Sequence, residues 1–129
     1  MKIIGIDPGL IQTGFGIINV SNNQTTLIDY GIIKPQAKDT LANRLLTIFN
    51  DVCEIISNYN PQIFAIEEVF YGKNVKSAMR LGQARGASMV AAASKNIPIY
   101  EYSPRKVKQS ITGNGNAHKT QVQFMVKAK

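Results

Sequence analysis

A single cysteine, a single histidine and no tryptophan occur among 129 residues. One cysteine excludes an intrachain disulfide and any zinc site built on cysteine pairs. Cys53 stands among Val52, Ile55 and Ile56, which predicts a buried core thiol in a reducing, cytoplasmic setting. No apolar run approaches the ~18 residues needed to span a bilayer. The opening run Ile3-Ile4-Gly5-Ile6 meets Asp7 too soon for a secretion signal, so no membrane partner is expected. The most telling scarcity is of negative charge in one half of the chain. From Lys73 onward the only acidic residue is Glu101, set against eleven basic ones, a net of +10. Up to Gly72, four basic residues meet seven acidic ones, a net of −3. A solvated basic face is the bland explanation; a surface for phosphate backbones fits the size of the asymmetry better.

What is present reads as one α/β domain over residues 1–129, since this length supports one sizeable core but not two. Residues 2–7 form a first strand, apolar on both faces and therefore central. Gly14 to Val20 and Thr25 to Lys34 read as second and third strands around the turn residues 21–24, an antiparallel meander. A helix follows from about Thr40 to Ser57, capped by Asp39 or Thr40, with Leu41, Leu45, Ile48, Val52 and Ile55/Ile56 as its apolar stripe. Gln62 to Glu68 is a fourth strand, Asn74 to Lys95 a second helix, and Ile97 to Glu101 a fifth strand. Pro98 assigns that last strand to an edge or to a strand start. A short helix capped by Ser103-Pro104, a Gly113–Asn116 loop and a final helix from Ala117 complete the pattern. The order predicts an RNase H-like mixed five-stranded sheet flanked by helices.

Two carboxylates end strands. Alternation puts Ile3, Gly5 and Asp7 on one face of the first strand, and Ile63, Ala65 and Glu67 on one face of the fourth. If these strands are parallel neighbours, Asp7 and Glu67 emerge at one edge. A buried carboxylate is costly unless paired or metal-bound, and two together offer hard oxygen ligands to Mg²⁺. Two such ions can clamp the attacking water and the leaving oxygen of a phosphodiester. Glu68 points the other way and is set aside. Turn capping ahead of Pro8-Gly9 is an equal alternative for Asp7.

Phe70 and Tyr71 fall in the loop after Glu67, where an aromatic can stack on bases or fold back into the core. Asn74 can cap the second helix. That helix carries Lys73, Lys76, Arg80 and Arg85, and a small-residue ridge at Ala78, Gly82 and Gly86. Each interior glycine costs ~1 kcal/mol relative to alanine, which points to close approach of a partner, either the chain's own sheet or the same helix of a second copy. Arg105, Lys106 and Lys108 cluster on the short third helix. The 113–116 loop opens a helix start with Lys119 one turn in, a natural phosphate seat. His118 is expected at the surface rather than as a base.

Taken together, these residues resemble the RuvC-type Holliday junction resolvases of bacteria over essentially the whole chain. The resemblance rests on Gly5-Ile6-Asp7-Pro8-Gly9 with Thr13-Gly14-Phe15-Gly16, on Phe64-Ala65-Ile66-Glu67 with Val69-Phe70 and Lys73-Asn74, on Leu81-Gly82-Gln83-Ala84-Arg85-Gly86, on Val107-Lys108-Gln109, and on the Gly113-to-Lys119 loop with Gln121-Val122-Gln123. It implies a homodimer that binds four-way DNA junctions and cuts two opposed strands with Mg²⁺ or Mn²⁺. It implies work beside a hexameric branch-migration motor and a junction-binding tetramer. Asp7 and Glu67 match the family's first two catalytic acids and Phe70 its junction-stacking aromatic. Lys108 and Lys119 match basic residues at the scissile region, Lys119 there offsetting charge on the phosphate. With them, Lys73, Asn74, Lys76, Arg80 and Arg105 form the expected DNA face. The family completes its site with an aspartate pair on its last helix that has no counterpart up to Lys129. Two of four carboxylates predict impaired cleavage by this chain, and leave a non-cleaving dimeric junction-binding module as the competing expectation.

Overall fold

The computed structural model describes residues 1–68 and 74–102. Five strands form one mixed sheet: β1 (Lys2–Asp7), β2 (Thr13–Ser21), β3 (Gln24–Ile33), β4 (Ile63–Glu67) and β5 (Ile99–Tyr102). Two helices accompany them, α1 (Leu41–Tyr59) between β3 and β4 and α2 (Val75–Ser94) between β4 and β5. The strand order is β3-β2-β1-β4-β5. β1, β2 and β3 are the antiparallel meander expected from their short connections. β4 lies parallel to β1, and β5 parallel to β4.

Local chemistry explains each junction. The β2–β3 hairpin turns on Asn22 and Asn23, whose φ values of 52° and 63° are the left-handed pair of a type I′ turn. Thr40, not Asp39, caps α1: its side chain accepts from the Asn43 N–H at 3.2 Å. The helix runs two residues past Ser57 and ends at Asn60, which takes the left-handed conformation and donates its N–H to the Ile56 carbonyl at 2.8 Å. The strand expected from Ile97 starts instead after Pro98 and lies at the sheet edge, as proline requires. It runs one residue beyond Glu101, to Tyr102, which matters for the site.

The core occupies one face of the sheet. Ile4, Ile6, Ile17, Phe64 and Ile66 meet Ile48, Val52 and Ile56 of α1 and Ala84, Ala91 and Ala92 of α2. Each fully buried large side chain contributes roughly 1.5–3 kcal/mol. The expected α1 stripe is narrower than its spacing implied, because Leu41 is exposed and Leu45 and Ile55 are half-buried. Cys53 is likewise half-buried rather than sealed in the core, with Sγ 3.7 Å from Ser94 Oγ. Among the described residues no helix is long and apolar enough to cross a membrane.

Candidate active site at the end of the central strands

The β1–β4 register pairs Ile3 with Ile63, Gly5 with Ala65 and Ile6 with Ile66. Extended by one residue, it sets Asp7 beside Glu67. Ile6 and Ile66 point to the helix-covered core, so the two acids share the opposite face. The juxtaposition expected from alternation is therefore present, because β1 and β4 are parallel neighbours.

The turn after Asp7 is built tightly. The Gly9 N–H donates to Thr13 Oγ1, and the fully buried Thr13 hydroxyl donates to the Gly9 carbonyl. A Cβ on Gly9 would stand 2.3 Å from the Gln12 carbonyl oxygen, so only glycine fits. Behind the turn, Arg44 of α1 donates to the Leu10 carbonyl at 3.2 Å. A hollow of ≈ 190 Å³ opens beside Asp7, lined by Pro8, Gly9, Gln12, Gly14 and Ile32.

Glu67 is half-buried. Burial raises its carboxyl above the ordinary 4.5. Tyr102 on β5 is its register partner and lies on the same face. Burial, then the negative charge of Glu67, pushes the Tyr102 phenol up to about 12. Tyr102 is a site neighbour that the sequence reading missed, because the fifth strand was ended one residue early. Arg85 was missed as well. Its Nε donates to the Glu67 main-chain carbonyl at 3.2 Å, and its guanidinium pairs with Glu101. Arg85 is thus committed inward and is no part of the free basic face.

A partly desolvated Glu67 beside Asp7 is the donor set a hard divalent cation takes: carboxylate oxygens, with burial that raises the benefit of a counter-charge. Among the described residues no group of three or more histidine, cysteine or acidic side chains gathers. Glu68 leaves the strand with its N–H donated to the Tyr102 carbonyl at 2.7 Å.

Of the expected DNA face, Lys76 and Arg80 are exposed on α2, one turn apart. Asn74 caps α2 through its side-chain oxygen, accepting from Ser77 N–H at 3.2 Å. The ridge at Ala78, Gly82 and Gly86 does not face the sheet. A Cβ on Gly82 or Gly86 would meet nothing within 4 Å, whereas Ala84, Ser88, Ala91 and Ala92 bury the opposite side of the helix. Phe70, Lys73, Arg105, Lys108, His118 and Lys119 lie outside the described residues, as do the short third helix, the 113–116 loop and the final helix.

Residues 3–128 match the family model described as crossover junction endodeoxyribonuclease RuvC. The chain belongs to the RuvC family. Its curated relatives include the crossover junction endodeoxyribonuclease RuvC of Saccharophagus degradans, 49% identical over 97% of this chain and 72% of the relative. The corresponding protein of Hydrogenovibrio crunogenus is 52% identical over 97% of this chain and 72% of its own length. Among solved structures, Thermus thermophilus RuvC superposes with a TM-score of 0.80 at 32% identity, covering 98% of this chain and 78% of that one. The fold is RNase H-like, as the order of elements predicted.

Proposed function

We propose that this chain is a metal-dependent endodeoxyribonuclease that resolves four-way DNA junctions, with Asp7 and Glu67 as the carboxylates that hold the cation. The observation that carries it is the parallel β1–β4 register, which puts both acids on one face at one sheet end. Mg²⁺ fits this oxygen donor set, and Mn²⁺ is the alternative. When bound, such a cation polarises the attacking water and the leaving oxygen of a phosphodiester. The chain's own part is to hold Asp7 on the stapled turn, to keep Glu67 in a partly dry setting, and to bring the phosphate backbone to them. Lys76 and Arg80 offer charge for that backbone. Phe70, Lys73, Asn74, Arg105, Lys108 and Lys119 complete the proposed DNA contacts, Lys119 beside the scissile phosphate.

Family membership supports this reading, as does a solved relative, T. thermophilus RuvC in complex with a Holliday junction substrate, which matches with a TM-score of 0.80 at 30% identity, over 87% of this chain and 72% of that one. A homodimer fits the outward ridge of Ala78, Gly82 and Gly86. It also fits the adjoining apolar groove of ≈ 440 Å³ between α1 and α2, lined by Leu45, Leu46, Phe49, Gly86, Ala87 and Val90. A cytoplasmic role beside a branch-migration motor and a junction-binding tetramer belongs to the same reading.

Asp7→Asn and Glu67→Gln should each abolish Mg²⁺-dependent cutting of a synthetic four-way junction while keeping junction binding; retained nicking by either variant overturns the assignment. A second reading is a dimeric module that binds junctions without cutting. It stands if the unsubstituted chain binds the junction and leaves it intact in Mg²⁺.

A further inference from the structure

Arg85 lies mid-way along α2 with its side chain only 17% exposed. A guanidinium so placed needs acceptors for its N–H groups. They come from three places: the Glu67 main-chain carbonyl for Nε at 3.2 Å, Met89 Sδ for Nη1 at 3.2 Å, and the Glu101 carboxylate for Nη2. The first of these bonds falls on a peptide group that is also held from the other side. The Glu68 N–H, the second polar end of the Glu67–Glu68 peptide, donates to the Tyr102 carbonyl of β5 at 2.7 Å. One peptide plane is therefore pinned by helix α2 at its oxygen and by strand β5 at its nitrogen. That plane directly follows the Glu67 Cα, so holding it fixes ψ of Glu67 and the direction in which its side chain leaves the sheet.

We infer that Arg85 is a positioning residue for Glu67: it locks the peptide after Glu67, with Glu101 as its electrostatic anchor, and so keeps the carboxylate aimed beside Asp7. The inference rests on Glu67 being a cation ligand. Arginine is required because its planar fork serves the β4 carbonyl and the β5 carboxylate at once, whereas a lysine ammonium is a single point donor on a flexible stem. Arg85 also neighbours Gly86 of the outward ridge, so the helix proposed to receive the second copy is the one that holds the peptide after Glu67.

Arg85→Lys and Glu101→Gln in the full chain test this with three readouts: hydrogen exchange of the Glu68 amide, the Mn²⁺ concentration at half-saturation by calorimetry, and junction binding without divalent metal. Arg85→Lys is expected to speed Glu68 exchange at least tenfold and to raise the Mn²⁺ midpoint at least threefold, with junction affinity within twofold of the parent. Glu101→Gln, which keeps the Arg85 bond to Glu67, should show smaller changes of the same sign. Unchanged Glu68 exchange and an unchanged Mn²⁺ midpoint in Arg85→Lys would overturn the inference, even if global stability falls. Glu67→Gln separates the two levels of argument. If it binds Mn²⁺ like the parent, the reading of Glu67 as a ligand fails. If it loses Mn²⁺ while Arg85→Lys does not weaken it, only the role of Arg85 fails.

Discussion

Gly9 and Thr13 are bonded to each other twice: the Gly9 N–H donates to Thr13 Oγ1 at 3.1 Å, and the Thr13 hydroxyl donates back to the Gly9 carbonyl at 2.8 Å. A single buried hydroxyl satisfies both polar groups of the residue two places after Asp7. The turn that carries the first carboxylate out of the sheet is thus closed by its own side chain. It is rigid for a second reason, since the Gln12 carbonyl occupies the space where a Cβ on residue 9 would go.

The staple predicts a stability loss with a functional consequence. Thr13→Val keeps the shape of the side chain but leaves the Gly9 N–H and carbonyl without their partner, a cost of about 1–3 kcal/mol. Gly9→Ala forces backbone to move and should lose more. Urea titration checks the stability, and calorimetry with Mn²⁺ checks whether cation affinity falls with it. Thr13→Ser, which restores the hydroxyl, should recover much of the loss.

Glu67 predicts a pH dependence of definite sign. Its folded pKa is raised by burial, so the folded chain binds that proton more tightly than the unfolded chain. Its favourable contribution is fully present below the unfolded value and is lost as pH rises through the folded one. At pH 7 without divalent metal, Glu67→Gln should therefore be at least as stable as the parent. The advantage should vanish near pH 4, where the carboxyl is protonated. Mg²⁺ at ten times its Kd should stabilise the parent by about 1.4 kcal/mol and the Gln variant far less. Thermal unfolding at the two pH values, with and without Mg²⁺, measures all of this.

Gly82 predicts an opposition between monomer stability and assembly. Within one chain a Cβ there meets nothing, so Gly82→Ala should stabilise α2 by up to ~1 kcal/mol. Gly82→Arg should fold equally well yet dissociate a dimer whose seam is the small-residue ridge. Sedimentation equilibrium reads the outcome, and an Arg variant that stays dimeric removes the ridge from the seam.

Much of this arrangement was legible because alternation in strands is a strict geometric rule. It separated Glu67 from Glu68 and put Asp7 on the matching face of its own strand. The meander followed from the turn residues at 21–24. Where the reading fell short, it lacked a neighbour rather than a pattern. Ending the fifth strand at Glu101 hid Tyr102, since a residue's exposure to Glu67 depends on register across strands. Arg85 looked like one more cation on a basic helix, because helical spacing gives a face but not what that face meets. The ridge of Ala78, Gly82 and Gly86 had two equal candidates for a partner. The helix's burial of Ala84, Ser88, Ala91 and Ala92 against the sheet removed one of them.

The sequence by itself determined the order of elements, the family, the excess of cations in its second half and the two acids at strand ends, all of which depend on local periodicity, composition and motif spacing. Only the tertiary structure decided that β1 and β4 are parallel neighbours, that Tyr102 crowds Glu67, and that Arg85 and β5 pin the peptide after it. Those are contacts between residues from 16 to 60 positions apart, and no local pattern encodes them. They are selected by which packing of the strands and helices buries Ile4, Ile6, Phe64 and Ile66 together.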